Sequence, residues 1–199
     1  MPGAARMPER ACTAGMPETQ GDVRECVVLD TGREPVQGEG YAQAIRLVMK
    51  GDAPEIGRDH NAVCYRVGLA TTDGRPLAAV VKVPRMGPQR TNADTSFAWE
   101  ARILASLPAA GIAAGPGLLG RVTAGGTHFL FMEEVPGRHP DPRTHPLDPQ
   151  RLRAILDQLY AMDARGLMHY DLKPANILVD GGQARFVDFE FARYRDFLE

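Results

Sequence analysis

The chain has 199 residues, of which 44% are hydrophobic and 24% are charged, and its formal net charge is −2. These values are ordinary for a globular protein, and the small negative charge favours neither nucleic acid nor an anionic membrane as a partner. No apolar run approaches the ~20 residues of a membrane span, and the N-terminus lacks the apolar centre of a cleavable Sec signal. We therefore expect a monomeric protein of the cytosolic type.

The three cysteines are scattered along the sequence without C-x-x-C spacing: Cys12, Cys26 and Cys64. Zinc sites commonly contain cysteines at C-x-x-C spacing, and disulfide frameworks are typical of small cysteine-rich secreted chains. The pattern therefore predicts a reducing compartment, with neither a zinc site nor a disulfide.

Residues 1–25 are rich in Ala, Gly, Pro and polar residues and have no apolar period, so we expect them to be disordered. A secretion signal of a non-Sec type would be invisible to this reasoning. The following stretch YAQAIRLVMK predicts a short helix with an apolar face formed by Ala44, Leu47 and Val48. Gly51 is expected to end it.

Two pairs of β-rich runs follow. AVCYRVGLATT and RPLAAVVKVP flank Asp73-Gly74, which is a strong hairpin signal. GLLGRVTAGG and THFLFMEEV predict a second pair of strands. The range 26–135 is therefore expected to form a small antiparallel sheet with one helix packed on it.

The segment FAWEARILASL between the two pairs predicts that helix. Thr95 or Ser96 is the expected N-cap, because a short side-chain oxygen can accept a hydrogen bond from the first turn. The apolar residues of the segment lie mostly on one helical face: Phe97, Ile103, Leu104 and Leu107.

The pattern changes at residues 136–149, a proline-rich stretch that predicts a stiff loop. Asp148 is a good N-cap with Pro149 at the first helical position, and Gly166 is expected to end the helix. Residues at helical spacing predict its buried face: Leu152, Ile155, Leu156, Leu159 and Met162. A short hairpin is then expected from ILV, a Gly181-Gly182 turn and ARFVDF.

Polar residues that can bind a metal ion or transfer a proton interrupt this apolar pattern. Asp171, Asn176 and Asp188 each lie beside a short apolar stretch, and their oxygens are ligands that a hard divalent cation prefers. A carboxylate near such a cation can also accept a proton from a hydroxyl group. Lys82 lies inside the apolar run AAVVKVP and Glu100 lies within the helix, so each needs a partner. Their opposite charges predict that they pair.

In this order the residues resemble the protein-kinase signature. The stretch LMHYDLKPANILVDGGQARFVDFEFA is similar to the catalytic loop and the D-F-G region of serine/threonine kinases. The resemblance implies a kinase-like two-lobe α+β fold. The N-lobe would be the sheet with one helix at 26–135, and 136–199 would be a truncated, mostly helical C-lobe.

The resemblance also implies roles for the catalytic-loop residues. Asp171 would accept the proton of the substrate hydroxyl, and Lys173 would steady the γ-phosphate of ATP. Asn176 and Asp188 would hold Mg²⁺ or Mn²⁺. His169 is expected to be a structural residue that packs the catalytic loop, and Phe97, Trp99 and Tyr160 are expected to be core residues.

Further roles follow for the nucleotide site. Lys82 would bind the α- and β-phosphates and pair with Glu100. FMEEV would be the hinge, with Met132 as gatekeeper and the backbone of Glu133 and Val135 reading the adenine edge.

The sequence departs from the kinase pattern in several places. Gly57 matches the first glycine of the nucleotide loop, but Asp59 stands at the second and would repel phosphate unless its side chain turns away. Ala62 stands at the third. Tyr170 replaces the arginine that binds a phosphorylated activation loop in many kinases. Glu190 replaces the glycine of D-F-G, so this segment is expected to flip less readily.

The sequence ends at Glu199, soon after Asp188, without an activation segment or an A-P-E motif. This layout resembles minimal bacterial kinases of the HopBF and OspG/NleH groups, which are type III secreted effectors. The resemblance implies constitutive activity, secretion into the host cytosol and a role in virulence. The implied partners are a host protein substrate, such as the ninety-kilodalton heat-shock chaperone, or the ubiquitin-conjugate machinery.

Three functions remain open from the residues. The first is a protein serine/threonine kinase, favoured by Lys173. The second is a small-molecule phosphotransferase similar to aminoglycoside or choline kinases, favoured by the D-F-E sequence at residues 188–190. The third is a pseudokinase that serves as a binding module, favoured by the degraded glycine loop.

Overall fold

The computed structural model describes residues 9–11, 25–29, 36, 38–85 and 93–195. The chain divides into two compact units, one formed by residues 1–97 and 118–134 and the other by residues 98–117 and 135–199. The predicted α+β class with an antiparallel sheet is confirmed. The assignment of lobes to 26–135 and 136–199, and the truncation of the second lobe, stay predictions.

The first unit is built on a seven-stranded sheet whose neighbouring strands are all antiparallel. The strand order is β1-β2-β6-β7-β5-β4-β3. The strands in chain order are β1 (Glu9–Ala11), β2 (Glu25–Leu29), β3 (Glu55–Arg58), β4 (Ala62–Ala70), β5 (Pro76–Pro84), β6 (Leu118–Ala124) and β7 (Thr127–Glu133).

Both predicted hairpins are present, as β4–β5 and β6–β7. The sheet is larger than expected, since β1, β2 and β3 have no strong β pattern in the sequence and were not predicted. Strand β1 falls within residues 1–25, which were predicted to be disordered. The rest of residues 1–24 lies outside the described residues, so that prediction stays untested there.

The turn between β4 and β5 follows from its local chemistry. Gly74 has φ +83°, a conformation that favours glycine, and its N–H donates to the carbonyl of Thr71 at 2.9 Å. The Thr71 hydroxyl accepts from the N–H of Arg75 at 3.0 Å. These bonds close the turn and fix the register that places Lys82 opposite Cys64.

Helix α1 (Gly38–Lys50) packs on the sheet, and Gly51 follows it with φ +78°, as predicted. Ala44 and Val48 are buried in the predicted manner, but Leu47 is 37% exposed. Leu47 lies at the edge of the apolar stripe, where a side chain can miss the core.

Tyr41 anchors α1 to the sheet. Its hydroxyl donates to the carbonyl of Leu119 at 2.5 Å, and its ring meets Phe131 edge-on at 4.8 Å. Gly120 is required beneath it, since a Cβ there would lie 2.8 Å from the tyrosine oxygen. The core of the first unit thus lies between α1 and the sheet.

Helix α2 spans Ala93–Ser106. The predicted N-cap at Thr95 or Ser96 is wrong, because both residues lie inside the helix. The sequence TNADTS offers several capping residue types in succession, so propensity alone could not select the boundary. The predicted apolar face is correct: the buried residues include Phe97, Ile103, Leu104 and Leu107.

Helix α3 (Pro149–Asp163) belongs to the second unit and begins as predicted. The Asp148 carboxylate accepts from the N–H of Arg151 at 2.8 Å, and Pro149 occupies the first turn. After the helix ends at Asp163, the chain turns at Gly166, which has φ +72°.

The predicted buried face of α3 is only partly correct. Ile155 and Met162 are buried, but Leu152 is 47% and Leu156 39% exposed. Tyr160, expected in the core, is 70% exposed. The sequence contains two adjacent apolar ridges, and only the ridge that includes Ile155 and Met162 is covered within the described residues.

Four short strands complete the second unit: β8 (Leu167–Met168), β9 (Ile177–Asp180), β10 (Gln183–Phe186) and β11 (Arg193–Tyr194). The β9–β10 pair is the predicted hairpin, with Gly181 at φ +54° in its turn. Strands β8 and β11 pair with each other. No described helix is both long and apolar enough to cross a membrane.

Candidate active site

The DLKPAN loop, residues 171–176, brings three of the predicted site residues into direct contact. The Lys173 ammonium donates to the Oδ2 atom of Asp171 at 2.6 Å. The Asn176 amide donates to the same oxygen and to the Asp171 backbone carbonyl, both at 2.9 Å. Pro174 begins a 3₁₀ turn that ends at Asn176, so the loop folds back on itself. The Oδ2 atom of Asp171 is therefore held by two side-chain donors.

Asp188 is brought to the same loop through its neighbour. The Val187 N–H donates to the carbonyl of Asn176 at 3.0 Å, which places Asp188 one residue from this contact. Asp188 has φ +67° and ψ +64°, a left-handed conformation that is uncommon outside glycine but is tolerated by aspartate. The local backbone thus places the two predicted metal ligands, Asn176 and Asp188, next to each other.

The electrostatics of the loop favour an ionised Asp171. The hydrogen bond from Lys173 holds the pKa of the Asp171 carboxyl below its usual value, although partial burial opposes the shift. The positive charge of Lys173 and the Asn176 amide act in the same direction. Asp171 is therefore a carboxylate that can accept a proton from a bound hydroxyl group.

His169 packs beneath the loop, as predicted for a structural residue. It is 4% exposed, and its Nε2–H donates to the carbonyl of Val187 at 3.1 Å. Its Nδ1 faces the Asp171 N–H at 3.4 Å, and its ring contacts Phe189. Burial lowers the pKa of His169 and so favours the neutral ring, and the ring ties together the two segments that hold Asp171 and Asp188.

Glu100 is fully buried and has a role that the sequence did not reveal. Its Oε1 atom accepts from the N–H of Phe189 at 3.0 Å. This bond links helix α2 to the residue that follows Asp188. Phe189 is itself buried, so the backbone beside Asp188 is fixed on both sides. The predicted pairing of Glu100 with Lys82 stays a prediction.

Trp99 is a second residue whose role was missed, since its type indicated only a core position. Its indole N–H donates to the carbonyl of Ala192 at 2.8 Å, and the Arg193 guanidinium lies 4.5 Å from the ring centroid. Helix α2 thus holds the D-F-E segment, residues 188–190, through contacts with Phe189 and Ala192.

The predicted nucleotide-binding residues of the first unit lie on its sheet. Lys82 is 3% exposed on β5, with its ammonium 5.8 Å from the Phe97 ring centroid. Met132 is buried near the end of β7, opposite Val80. Glu133 ends the same strand and is partly buried. Val135 falls in the second unit and is also partly buried.

The predicted glycine loop has unusual chemistry. Gly57 lies in β3 beside an irregularity in the register, with open space where a Cβ would be. The Asp59 carboxylate turns back on its own loop and accepts from the N–H groups of Asn61 and Ala62, both at 2.5 Å. These two N–H groups are thus occupied by a side chain, so they do not form a phosphate cradle.

The donor set of the second unit fits a magnesium ion held together with phosphate oxygens. Among the described residues, no cluster of three His, Cys, Asp or Glu side chains forms a metal site. The Asn176 NH₂ group is committed to Asp171, which leaves its amide oxygen as the ligand atom. One amide oxygen and the Asp188 carboxylate are the sparse set that Mg²⁺ takes when phosphate supplies further ligands.

Comparison with known proteins agrees with this chemistry. A model of the phosphotransferase enzyme family matches residues 152–199, which include the DLKPAN loop and the D-F-E segment. No curated protein matches the chain. The family match supports a phosphotransferase of the kinase-like superfamily. Enzymes of this kind generally use ATP and Mg²⁺.

Proposed function

We propose that the protein transfers the γ-phosphoryl group of ATP to a serine or threonine hydroxyl of a protein. The observation that supports this best is the contact of Lys173 and Asn176 with one carboxylate oxygen of Asp171. A lysine beside the catalytic aspartate is the feature that the chain shares with serine/threonine kinases.

In the proposed reaction, the acceptor hydroxyl gives its proton to Asp171 as its oxygen bonds to the γ-phosphorus. The bond between that phosphorus and the β,γ-bridging oxygen breaks, and ADP leaves. Asp171 suits this role because its side chain is 27% exposed and its lowered pKa favours the ionised form, which can accept a proton. Asn176 orients the carboxylate, so little reorganisation is needed when the acceptor binds.

Lys173 suits the neutralisation of charge on the transferring group. Its side chain is half exposed, and it already lies against the carboxylate that would meet the acceptor. Mg²⁺ held by Asn176 and Asp188 would supply further neutralisation of the phosphate charge. Lys82, which is buried on β5, is the residue we assign to the α- and β-phosphates.

A small-molecule acceptor is the second candidate, and a specific observation favours it. The family match is to the phosphotransferase enzyme family, and the chain has D-F-E at residues 188–190. Incubation of the protein with labelled ATP and Mg²⁺ tests both candidates. One set of reactions contains cell-lysate proteins, and the other contains aminoglycosides or choline.

Label on a protein band supports the first proposal, and label only on a small molecule replaces it with the second. No transfer to either, by a folded protein that still binds ATP, would favour the binding-module alternative. That the protein is a secreted effector with a host protein as its acceptor rests on the sequence resemblance alone. Lysates from candidate host cells are therefore the appropriate source of acceptors.

Asp188 provides a test of the metal assignment. Asp188→Asn removes one of two proposed ligands, so we expect the Mg²⁺ concentration for half-maximal transfer to rise at least about tenfold. Asp163→Asn, which changes an exposed aspartate on α3, is the matched control. An unchanged Mg²⁺ titration for Asp188→Asn would remove this residue from the metal site.

A further inference from the structure

A cavity in the second unit lies on the opposite end of strand β9 from Asn176. It is open to solvent, has a volume of about 440 Å³ and is lined by the proline-rich linker, the first turn of α3 and the β9–β10 turn. We refer to it as the linker cavity. We propose that the linker cavity binds an oxyanion group, a phosphate or carboxylate, of the acceptor substrate.

The linker that forms this cavity is fixed by backbone contacts. Arg138 exchanges two hydrogen bonds with Val179 of β9, each 3.0 Å long. Gly137 has φ +129°, and a Cβ there would lie 3.0 Å from the Val179 carbonyl oxygen, so glycine is required. Asp141 and His145 likewise exchange two backbone bonds of 2.9 Å. The cavity wall is therefore preorganised by the linker itself.

Two arginines, Arg138 and Arg151, line the linker cavity. Arg138 donates from Nη1 to the Nε2 atom of His145 at 2.7 Å. Because a guanidinium cannot accept a hydrogen bond, this His145 nitrogen carries no proton in the structure. Arg151 donates from Nη1 to the carbonyl of Pro146 at 3.0 Å. Each contact orients its arginine while using only part of the five-donor fork.

The charge balance of the lining favours an anion. Among the lining residues, Arg138 and Arg151 carry positive charge and Asp180 is the acidic residue. Arg151 also pairs with Asp148, which lies outside the lining, with Nε 3.5 Å from Oδ2. Planar guanidinium forks match the oxygen pairs of carboxylate and phosphate groups, and they bind such groups in a bidentate manner. The cavity is larger than a single group of this kind, and its lining includes the apolar residues Leu147 and Val179.

The position of the cavity suggests the source of this anion. Val179 lies three residues beyond Asn176 on the extended strand β9, a separation of about 10 Å. An extended peptide spans that distance with about three residues. A substrate whose hydroxyl reaches Asp171 could thus place an acidic or phosphorylated side chain in the linker cavity. This last step rests on the proposed function, whereas binding of an oxyanion does not.

Calorimetric titration with inorganic phosphate and with O-phosphoserine tests the binding directly. We expect Arg138→Gln and Arg151→Gln each to weaken binding by about tenfold or more, the cost of losing a charge-assisted hydrogen bond. Arg143→Gln makes the same charge change in the same linker outside the cavity lining, and we expect less than a twofold effect. Asp180→Asn should tighten binding, because it removes the opposing charge.

Equal losses for Arg143→Gln and Arg138→Gln would overturn the proposal, because the effect would then be one of net charge. Absence of binding by both ligands to the wild type would also overturn it. These outcomes leave the proposed transfer reaction intact, since neither arginine belongs to the DLKPAN loop.

A kinetic experiment tests the source of the anion. It compares serine peptides that carry Glu, phosphoserine or Gln three residues before or after the acceptor. We expect a higher kcat/KM for one placement of Glu or phosphoserine, and loss of that preference in Arg138→Gln. If phosphate binds in calorimetry but no placement matters, the acceptor is not the source and a free small anion is. If no peptide is phosphorylated at all, the proposed function fails while the cavity assignment stands.

Discussion

At the scale of single residues, Asp171 is defined by its contact with Lys173. The ammonium lies 2.6 Å from Oδ2 and lowers the pKa of the carboxyl. A base must be unprotonated to act, so a lowered pKa extends activity toward acidic pH. Lys173 therefore affects both the charge of the site and the pH range in which Asp171 works.

Replacing this lysine gives a prediction with a defined sign. In Lys173→Met the carboxyl loses the hydrogen bond and the charge that lower its pKa. We expect the acidic limb of the pH profile of kcat/KM to move to higher pH, together with a lower maximum rate. Steady-state kinetics between about pH 3 and pH 7, a range that brackets the ordinary aspartate pKa of about 3.9, would measure the shift. An acidic limb that stays in place would contradict the role of Lys173.

The sequence predicted the composition of this site better than its supporting contacts. Asp171, Asn176 and Asp188 lie in short loops beside strands, so their order along the chain implied their proximity. The bond from the Phe189 N–H to Glu100 could not be predicted, because it joins residues far apart in sequence through a backbone group. Backbone donors carry no signal of residue type.

At the scale of elements, helix α3 depends on its first turn. The Asp148 carboxylate accepts from the Arg151 N–H, one of the donors that no residue within the helix can satisfy. This element was the one most accurately predicted at its start, because Asp-Pro is a local signal. The exposure of the apolar ridge that contains Leu152 and Leu156 was not predicted, because burial depends on which elements pack against the helix.

Two substitutions on α3 separate capping from surface charge. Asp148→Ala removes the cap, and we expect it to lower the free energy of unfolding by about 0.5–2 kcal/mol. Asp157→Ala removes an exposed i,i+4 pair with Arg153 and should cost no more than about 0.5 kcal/mol. Urea denaturation of both variants would measure the difference. Equal losses of unfolding free energy in the two variants would show that the cap adds no more stability than an exposed ion pair.

The link from α2 to the D-F-E segment gives another prediction at this scale. Glu100→Ala leaves the buried Phe189 N–H without its acceptor, and we expect a loss of about 1–3 kcal/mol in unfolding free energy. Glu100→Gln keeps an oxygen acceptor, so we expect it to lower the unfolding free energy by less than Glu100→Ala does. Chemical denaturation would compare the two, and a larger loss for Gln than for Ala would contradict this role.

At the scale of the whole molecule, stability should depend on the neutral state of His169. Burial lowers its pKa in the folded protein below the ordinary 6.5, so the unfolded chain takes up a proton first as the pH falls. The stabilisation is complete when the pH is above the pKa of the unfolded chain. It decreases as the pH falls from there toward the lower pKa of the folded protein. Protonation thus opposes folding in the mildly acidic range.

Unfolding experiments at two pH values would measure this effect. We expect the wild-type free energy of unfolding to fall between about pH 7.5 and pH 5.5, and to fall by less in His169→Gln. His60→Gln changes an exposed histidine and serves as the control. A pH dependence that is the same in wild type and His169→Gln would contradict the account of this buried ring.

Phosphoryl transfer to a hydroxyl group is the activity we propose for the DLKPAN loop. The most direct measurement is the incorporation of label from γ-labelled ATP, with Mg²⁺, by wild type, Asp171→Asn and the surface control Asp157→Asn. We predict that Asp171→Asn lowers kcat by about 10²–10⁴-fold while the fold is retained, and that Asp157→Asn matches the wild type. Transfer by Asp171→Asn at the wild-type rate would contradict the claim.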